Sequence, residues 1–343
     1  MSVVLRSVVC VCLDIRIWSG KKKLTPSDLQ LSESKLPPQE IATLGSKNLC
    51  DPSALQPLNR IESQARDCCA KVGVRFLNGF GVPKAKAPEL LSQLAALQRE
   101  FQQGKDLFLN LYEDTIRDWA AAHPGWEYIL RTVVPKTVVE SKIGFDFQAF
   151  TVSEPIFKED ESEETCDSQG ARSSAANGLL KATHELPETL FAEIAQNAKD
   201  TWRRSFEGKS VVTRKALRPV KTLVTKLELM KFLSPQAIEP LTQRIQQRLS
   251  SLAKNGPIAG NDLAIVSGIV YALSDLERLK TYTSLLQNGL PLDEAAFLKG
   301  QNVFPAKDTS TVPEPHELIV TEPEEEAEPA PTTIAQTTGW FSW

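Results

Sequence analysis

Gly208-Lys209-Ser210 and two His-Glu pairs, His184-Glu185 and His316-Glu317, come nearest to a recognisable chemistry. A lysine and a serine behind a glycine are how a phosphate loop holds a nucleotide, but that loop also needs a glycine five residues earlier, after a strand. Arg203 stands there in a helical context, so the stretch from Arg203 to Ser210 reads as the charged end of a helix with a glycine stop. A His-Glu pair opens a zincin helix only when a second histidine follows one turn later to share the metal, and neither pair has one. With 3 histidines in 343 residues there is little material for a multi-histidine site. His123, ahead of Pro124-Gly125-Trp126, is suited to meeting unsatisfied carbonyls at a helix end. No Gly-x-Ser-x-Gly or Gly-x-Gly-x-x-Gly motif occurs. The expectation is therefore a non-enzymatic protein with no catalytic residues, no metal site and no cofactor.

The 6 cysteines, Cys10, Cys12, Cys50, Cys68, Cys69 and Cys166, lack paired Cys-x-x-Cys spacing and read as reduced thiols filling core space. The formal net charge of −4 predicts no bulk attraction to nucleic acid. Locally, Arg203, Arg204, Lys209, Arg214, Lys215, Arg218, Lys221, Lys226 and Lys231 are opposed only by Glu207 and Glu228. On a continuous helix Arg214, Arg218 and Lys221 would share a face able to follow phosphates or an acidic protein surface, although Pro219 interrupts that geometry. A plain solvated face is the simplest alternative. At the other extreme of the chain an acidic, proline-rich segment ends on Trp340, Phe341 and Trp343. Three readings stay open for these aromatics: a linear motif docking on a partner, a segment packing on its own body, or no role.

Val3, Leu5, Val9, Val11, Leu13, Ile15 and Ile17 fall on odd positions while Arg6, Cys10, Cys12, Asp14 and Arg16 fall on even ones, which predicts a long half-buried strand. A second strand is expected over 143–152, pairing with the first. A helix is expected from Asp51-Pro52 through Val72, stopped by Gly79, Gly81 and Pro83. From Pro88 to Ala122, Leu90, Leu94, Leu97, Phe101, Phe108, Leu111 and Trp119 recur at steps of three and four, predicting one continuous helix of roughly 35 residues, about 50 Å long. Gly104 in that seam costs about 1 kcal/mol relative to alanine unless a neighbouring helix approaches it, in this chain or in a second copy. Further helices follow Leu190, Ile194, Ala198 and Trp202, then 211–232, then Ile238, Leu241 and Ile245, and finally 261–286. The fold class these imply is mainly α: an elongated antiparallel helical bundle with long coiled-coil-like helices and a small two-stranded β element. The domain organisation expected is a strand and long-helix domain at 1–157, a flexible acidic linker at 158–186, a helical region at 187–300 and a disordered tail at 301–343. No apolar run is long enough to cross a membrane and no cleavable leader is evident, so the expected location is the cytoplasm.

The stretches at 12–29 (CLDIRIWSGKKKLTPSDL), 36–55 (LPPQEIATLGSKNLCDPSAL), 75–83 (RFLNGFGVP) and 119–129 (WAAAHPGWEYI) carry a resemblance to a known family. The sequence resembles a bacterial family carried by conjugative elements, plasmids and phages, labelled as a domain of unknown function. The resemblance covers roughly the first 290 residues and is strongest in the first 155. It implies a genetic neighbourhood with a MoxR- or CobS-like AAA ATPase and a CobT-like protein bearing a von Willebrand A domain. Those neighbours become the leading candidate partners of an adaptor or scaffold, with a nucleic-acid-binding accessory role using 203–231 as the alternative. Asp14, Arg16, Trp18, Gly20, Pro37, Gly45, His123, Pro124 and Trp126 lie in the matching stretches and suit turns, caps and packing as well as chemistry.

Overall fold

The computed structural model describes residues 3–30, 41–130, 134–153, 174, 177–253, 255–289 and 294–298. Most of the segment expected as a linker, 158–186, and the whole tail 301–343 with Trp340, Phe341 and Trp343 lie outside the described residues. One compact unit spans Met1–Val303.

The chain opens with a short helix, α1 (Val3–Ser7), and only then becomes the strand β1 (Val8–Arg16). A small hairpin follows, β2 (Lys21–Lys23) against β3 (Ser46–Asn48), and then the helix α2 (Gln56–Val72), preceded by a 3-10 turn capped by Asp51. Gly73 ends α2, and the next ten residues are a tight hairpin, β4 (Val74–Phe76) and β5 (Gly79–Pro83), joined by Leu77-Asn78. Among the described residues the main sheet has four strands in the order β4-β5-β1-β6, all antiparallel, with β6 formed by Gly144–Phe150.

The helical-bundle expectation is therefore corrected: this is a mixed α/β molecule organised on a four-stranded antiparallel sheet, with two small two-stranded sheets besides. The expected pairing of the first and second strands is present, from Cys10 opposite Phe150 to Arg16 opposite Gly144. The expectation fell short at β4 and β5, whose glycines read as helix stops. They are closely packed strand positions: a Cβ on Gly79 would collide with the Val11 carbonyl, and one on Gly81 would lie 3.1 Å from Val8.

Helices cover both faces of this sheet. Odd residues of β1, Val9 to Ile15, face a core with α2 and with α3 (Ala87–Asn110); even residues Val8, Cys10 and Cys12 face the C-terminal helices. The first core holds Leu58, Ile61, Leu94, Phe101 and Phe145, and Gly104 of α3 lies where a Cβ would come within 3.1 Å of Leu58, so the close neighbour of that seam is α2. The single 35-residue helix is corrected as well. α3 stops at Asn110 and α4 (Tyr112–Ala121) resumes after Leu111, because Phe108 and Tyr112 turn inward around the buried Trp18, with ring centroids 6.2 and 5.8 Å from it. Leu111, expected in the seam, is 48% exposed.

Two short helices, α5 (Glu127–Leu130) and α6 (Lys136–Ser141), lead into β6. Beyond it come α7 (Leu186–Ser205), the strand β7 (Val211–Val212), α8 (Leu217–Leu229) and α9 (Pro235–Ser251). Then β8 (Ile258–Ala259) pairs with β7, and α10 (Gly260–Leu273) and α11 (Leu276–Gln287) follow. Proline 219 sits in the first turn of α8, where its missing N–H costs nothing, so it marks a fresh start and not a kink. α10 is buried on nearly every side, from Leu263 through Leu273, which makes it the central element of the C-terminal layer. Leu5, Val8, Cys10, Val74 and Phe76 share one core with Leu190, Ile194, Leu227, Ile238 and Ile269, so that core runs across the sequence expected as a linker.

Candidate interaction surface

The basic run does not form one helical stripe. Arg214 lies in a 3-10 turn ahead of α8, is half-buried, and its Nε is enclosed without a hydrogen-bond partner among the described residues. Arg218 and Lys221 stand exposed on α8, three residues apart, with no carboxylate in ion-pair range among the described residues. Lys209 is committed locally, donating from Nζ to the Arg204 carbonyl at 2.7 Å beside the positive-φ Gly208 in the turn that follows α7.

Lys226 turns the other way. It is 4% exposed, and its Nζ donates to Glu193 Oε2 at 2.6 Å and to the Ala70 carbonyl at 2.8 Å. Glu193 in turn accepts the Arg75 backbone N–H at 2.8 Å, so one ion pair ties α2, β4, α7 and α8 together. Above it a cleft of about 390 Å³ is lined by Asp67, Lys71, Asp200, Arg204 and Thr222. A larger cleft of about 590 Å³ lies along β6, lined by Arg16, Gln98, Arg99, Lys105, Glu140 and Asp146.

A second buried clamp closes the C-terminal side. Glu294, 1% exposed, accepts from Arg244 Nε at 2.6 Å and from Arg248 Nε at 2.9 Å, two cations one turn apart on α9. Burial alone would raise its pKa, but the bonds from Arg248 and Arg244 win and hold the carboxyl below its usual range. Gly268 on α10 makes this possible, since a side chain there would strike the Glu294 carbonyl.

Other sequence candidates resolve into structure. His123 Nδ1 lies 2.8 Å from the Trp119 carbonyl and the rings are 4.2 Å apart, the helix-end role expected of it. His184 is exposed at the end of the helical residues 177–184 ahead of α7, and His316 lies outside the described residues. Burial, with Cys12 adding, pushes the Cys10 thiol up to about 12; burial likewise puts Cys69 at about 12 and Cys50 at about 11, so these thiols stay protonated and unreactive. Among the described residues no three metal-capable side chains converge. Asp28 is pulled down to about 2, first by the 2.6 Å bond from Lys47, whose Nζ also reaches the Ile129 carbonyl and so pins the β2-β3 hairpin to α5. Lys47 is almost fully buried and gave no sign of it in a stretch that reads as polar loop.

A family profile described as "Protein of unknown function (DUF3150)" matches residues 5–275. The chain belongs to this family. The match runs from within α1 to the residue before α11 and so takes in the sheet and most of the helices on both of its faces. No curated protein and no solved structure matches the chain. Among the described residues no helix is long and apolar enough to cross a membrane.

Proposed function

We propose that this family member is a non-enzymatic adaptor or scaffold of a mobile-element or phage system, acting in the cytoplasm by binding protein partners. A MoxR- or CobS-like AAA ATPase or its von Willebrand A companion is the leading candidate, on the family's genetic neighbourhood. The observation that supports partner binding is an apolar ridge at the end of α3: Leu107 and Leu111, one turn apart, are 62% and 48% exposed. Trp340, Phe341 and Trp343 supply a second docking element in this reading, presented on an acidic spacer.

The test is a pulldown with the tagged full chain against each neighbour under several nucleotide conditions. Retention that falls when Leu107 and Leu111 become glutamate, or when 301–343 is removed, supports the adaptor; failure to retain either neighbour in any condition overturns it. Arg218 and Lys221, exposed and without carboxylate partners among the described residues, favour a second reading in which the basic region binds nucleic acid. That reading expects salt-sensitive retardation of DNA or RNA, lost on charge reversal of Arg214, Arg218 and Lys221. Absence of binding at low salt dismisses it.

A further inference from the structure

We infer that two copies of this chain join through the free edge of β6, so that two four-stranded sheets become one continuous antiparallel sheet. The proposal stands independently of the adaptor reading. The main sheet has two edges, and they are treated differently. At the β4 edge the outward Arg75 N–H is taken by the Glu193 carboxylate, and α7 lies alongside. An unguarded strand edge is a template for another strand, and proteins ordinarily blunt it with charge, proline or a covering element.

At the β6 edge the protection stops half-way. Lys105 Nζ donates to the Ile143 carbonyl at 2.7 Å and Gln98 Nε2 to the Phe145 carbonyl at 2.8 Å. Those bonds identify the odd-numbered residues as the ones whose main-chain groups point away from β1. Phe147 and Ala149 come next in that parity, and among the described residues nothing hydrogen-bonds their outward N–H and C=O groups. The side chains around them are open: Gln148 and Ala149 are exposed and Phe150 is 43% exposed. From Phe147 to Val152 there is no charge and no proline.

The occupant is a second copy because this stretch complements itself. An antiparallel pair with its two-fold axis at Gln148 sets Phe147 opposite Ala149 of the second copy, and Ala149 opposite its Phe147. Each such pair exchanges two main-chain bonds, and each sets a large ring beside a small side chain. Gln148 then faces its own copy as an amide pair, and Asp146 faces Phe150, so no like charges oppose one another. Gln98 and Lys105 already fill the edge at 143 and 145, which confines the overlap to the open half of the strand. A contact of this length falls below the roughly 1,200 Å² of a stable interface, so the dimer is expected to be concentration-dependent.

Sedimentation of the full chain over a concentration series tests this, expecting a reversible monomer–dimer equilibrium in the micromolar range. Gln148→Lys and Gln148→Glu each set like charges against themselves across the axis, and each should weaken the dimer at least about tenfold with the melting temperature unchanged. Mixing the two variants should restore it as a heterodimer, which no other register predicts. Ala149→Pro removes an N–H that serves nothing inside the chain and should also dissociate the dimer. A chain that stays monomeric throughout the series overturns the proposal. So does a dimer that ignores both Gln148 substitutions.

Discussion

Lys226 looks like part of a solvated basic face when read along the sequence, yet it is the cation of a buried pair. Breaking such a pair leaves its partner charge uncompensated, which costs more than the pair itself contributes. Lys226→Met is therefore expected to destabilise the protein by about 3 kcal/mol in urea unfolding, moderated because Glu193 keeps some water contact. Adding Glu193→Gln, which can still accept from the Arg75 N–H, should recover at least half of that loss. Asp28 makes a pH prediction. Its carboxyl is depressed from 3.8 to about 2 by Lys47, so the stability it contributes is fully present above about pH 4 and is lost as pH falls towards 2. Trp119 Nε1 bonds the Asn48 carbonyl of the same hairpin at 3.3 Å, so its fluorescence should report that loosening, and Asp28→Asn should abolish the transition.

Elements meet at close approaches that side-chain periodicity does not encode. At Gly268 alanine would gain about 1 kcal/mol of helix propensity, but its Cβ would run into a backbone carbonyl, which cannot swing aside. The clash wins: Gly268→Ala should cost about 1–3 kcal/mol and raise hydrogen exchange over 294–298, where Glu294 loses its grip on Arg244 and Arg248. The β4-β5 hairpin shows how a legible signal can be assigned to the wrong thing. Asn78-Gly79 between apolar runs is a hairpin signature, and reading the glycines as helix stops hid two of the four strands. The break at Leu111 was less legible, because Leu111 and Tyr112 both extend the apolar period. Only the aromatic cluster around Trp18 selects Tyr112.

For the whole molecule, the consequence of a shared core is interdependence. A fragment ending at residue 157 would expose Leu5, Val8, Cys10, Val74 and Phe76, which pack on the C-terminal helices. It is expected to aggregate when expressed alone and to become soluble when co-expressed with 177–298, as read by the soluble fraction on size exclusion. Of the candidate surface, the sequence pointed to the exposed cations Arg218 and Lys221. It did not mark the half-burial of Arg214, the inward turn of Lys226 or the open edge at Phe147 and Ala149. What the sequence alone determined is the local order: the amphipathic faces of α2, α3, α7 and α9, the period-two alternation of β1, the presence of a strand at β6 and the helix-end role of His123. Each follows from spacing within a few residues, where period and burial coincide. The tertiary structure alone decided the strand order, the two helical layers and the pairing of Lys226 and Glu294, because these join residues tens to more than a hundred positions apart whose types are equally compatible with a solvated surface.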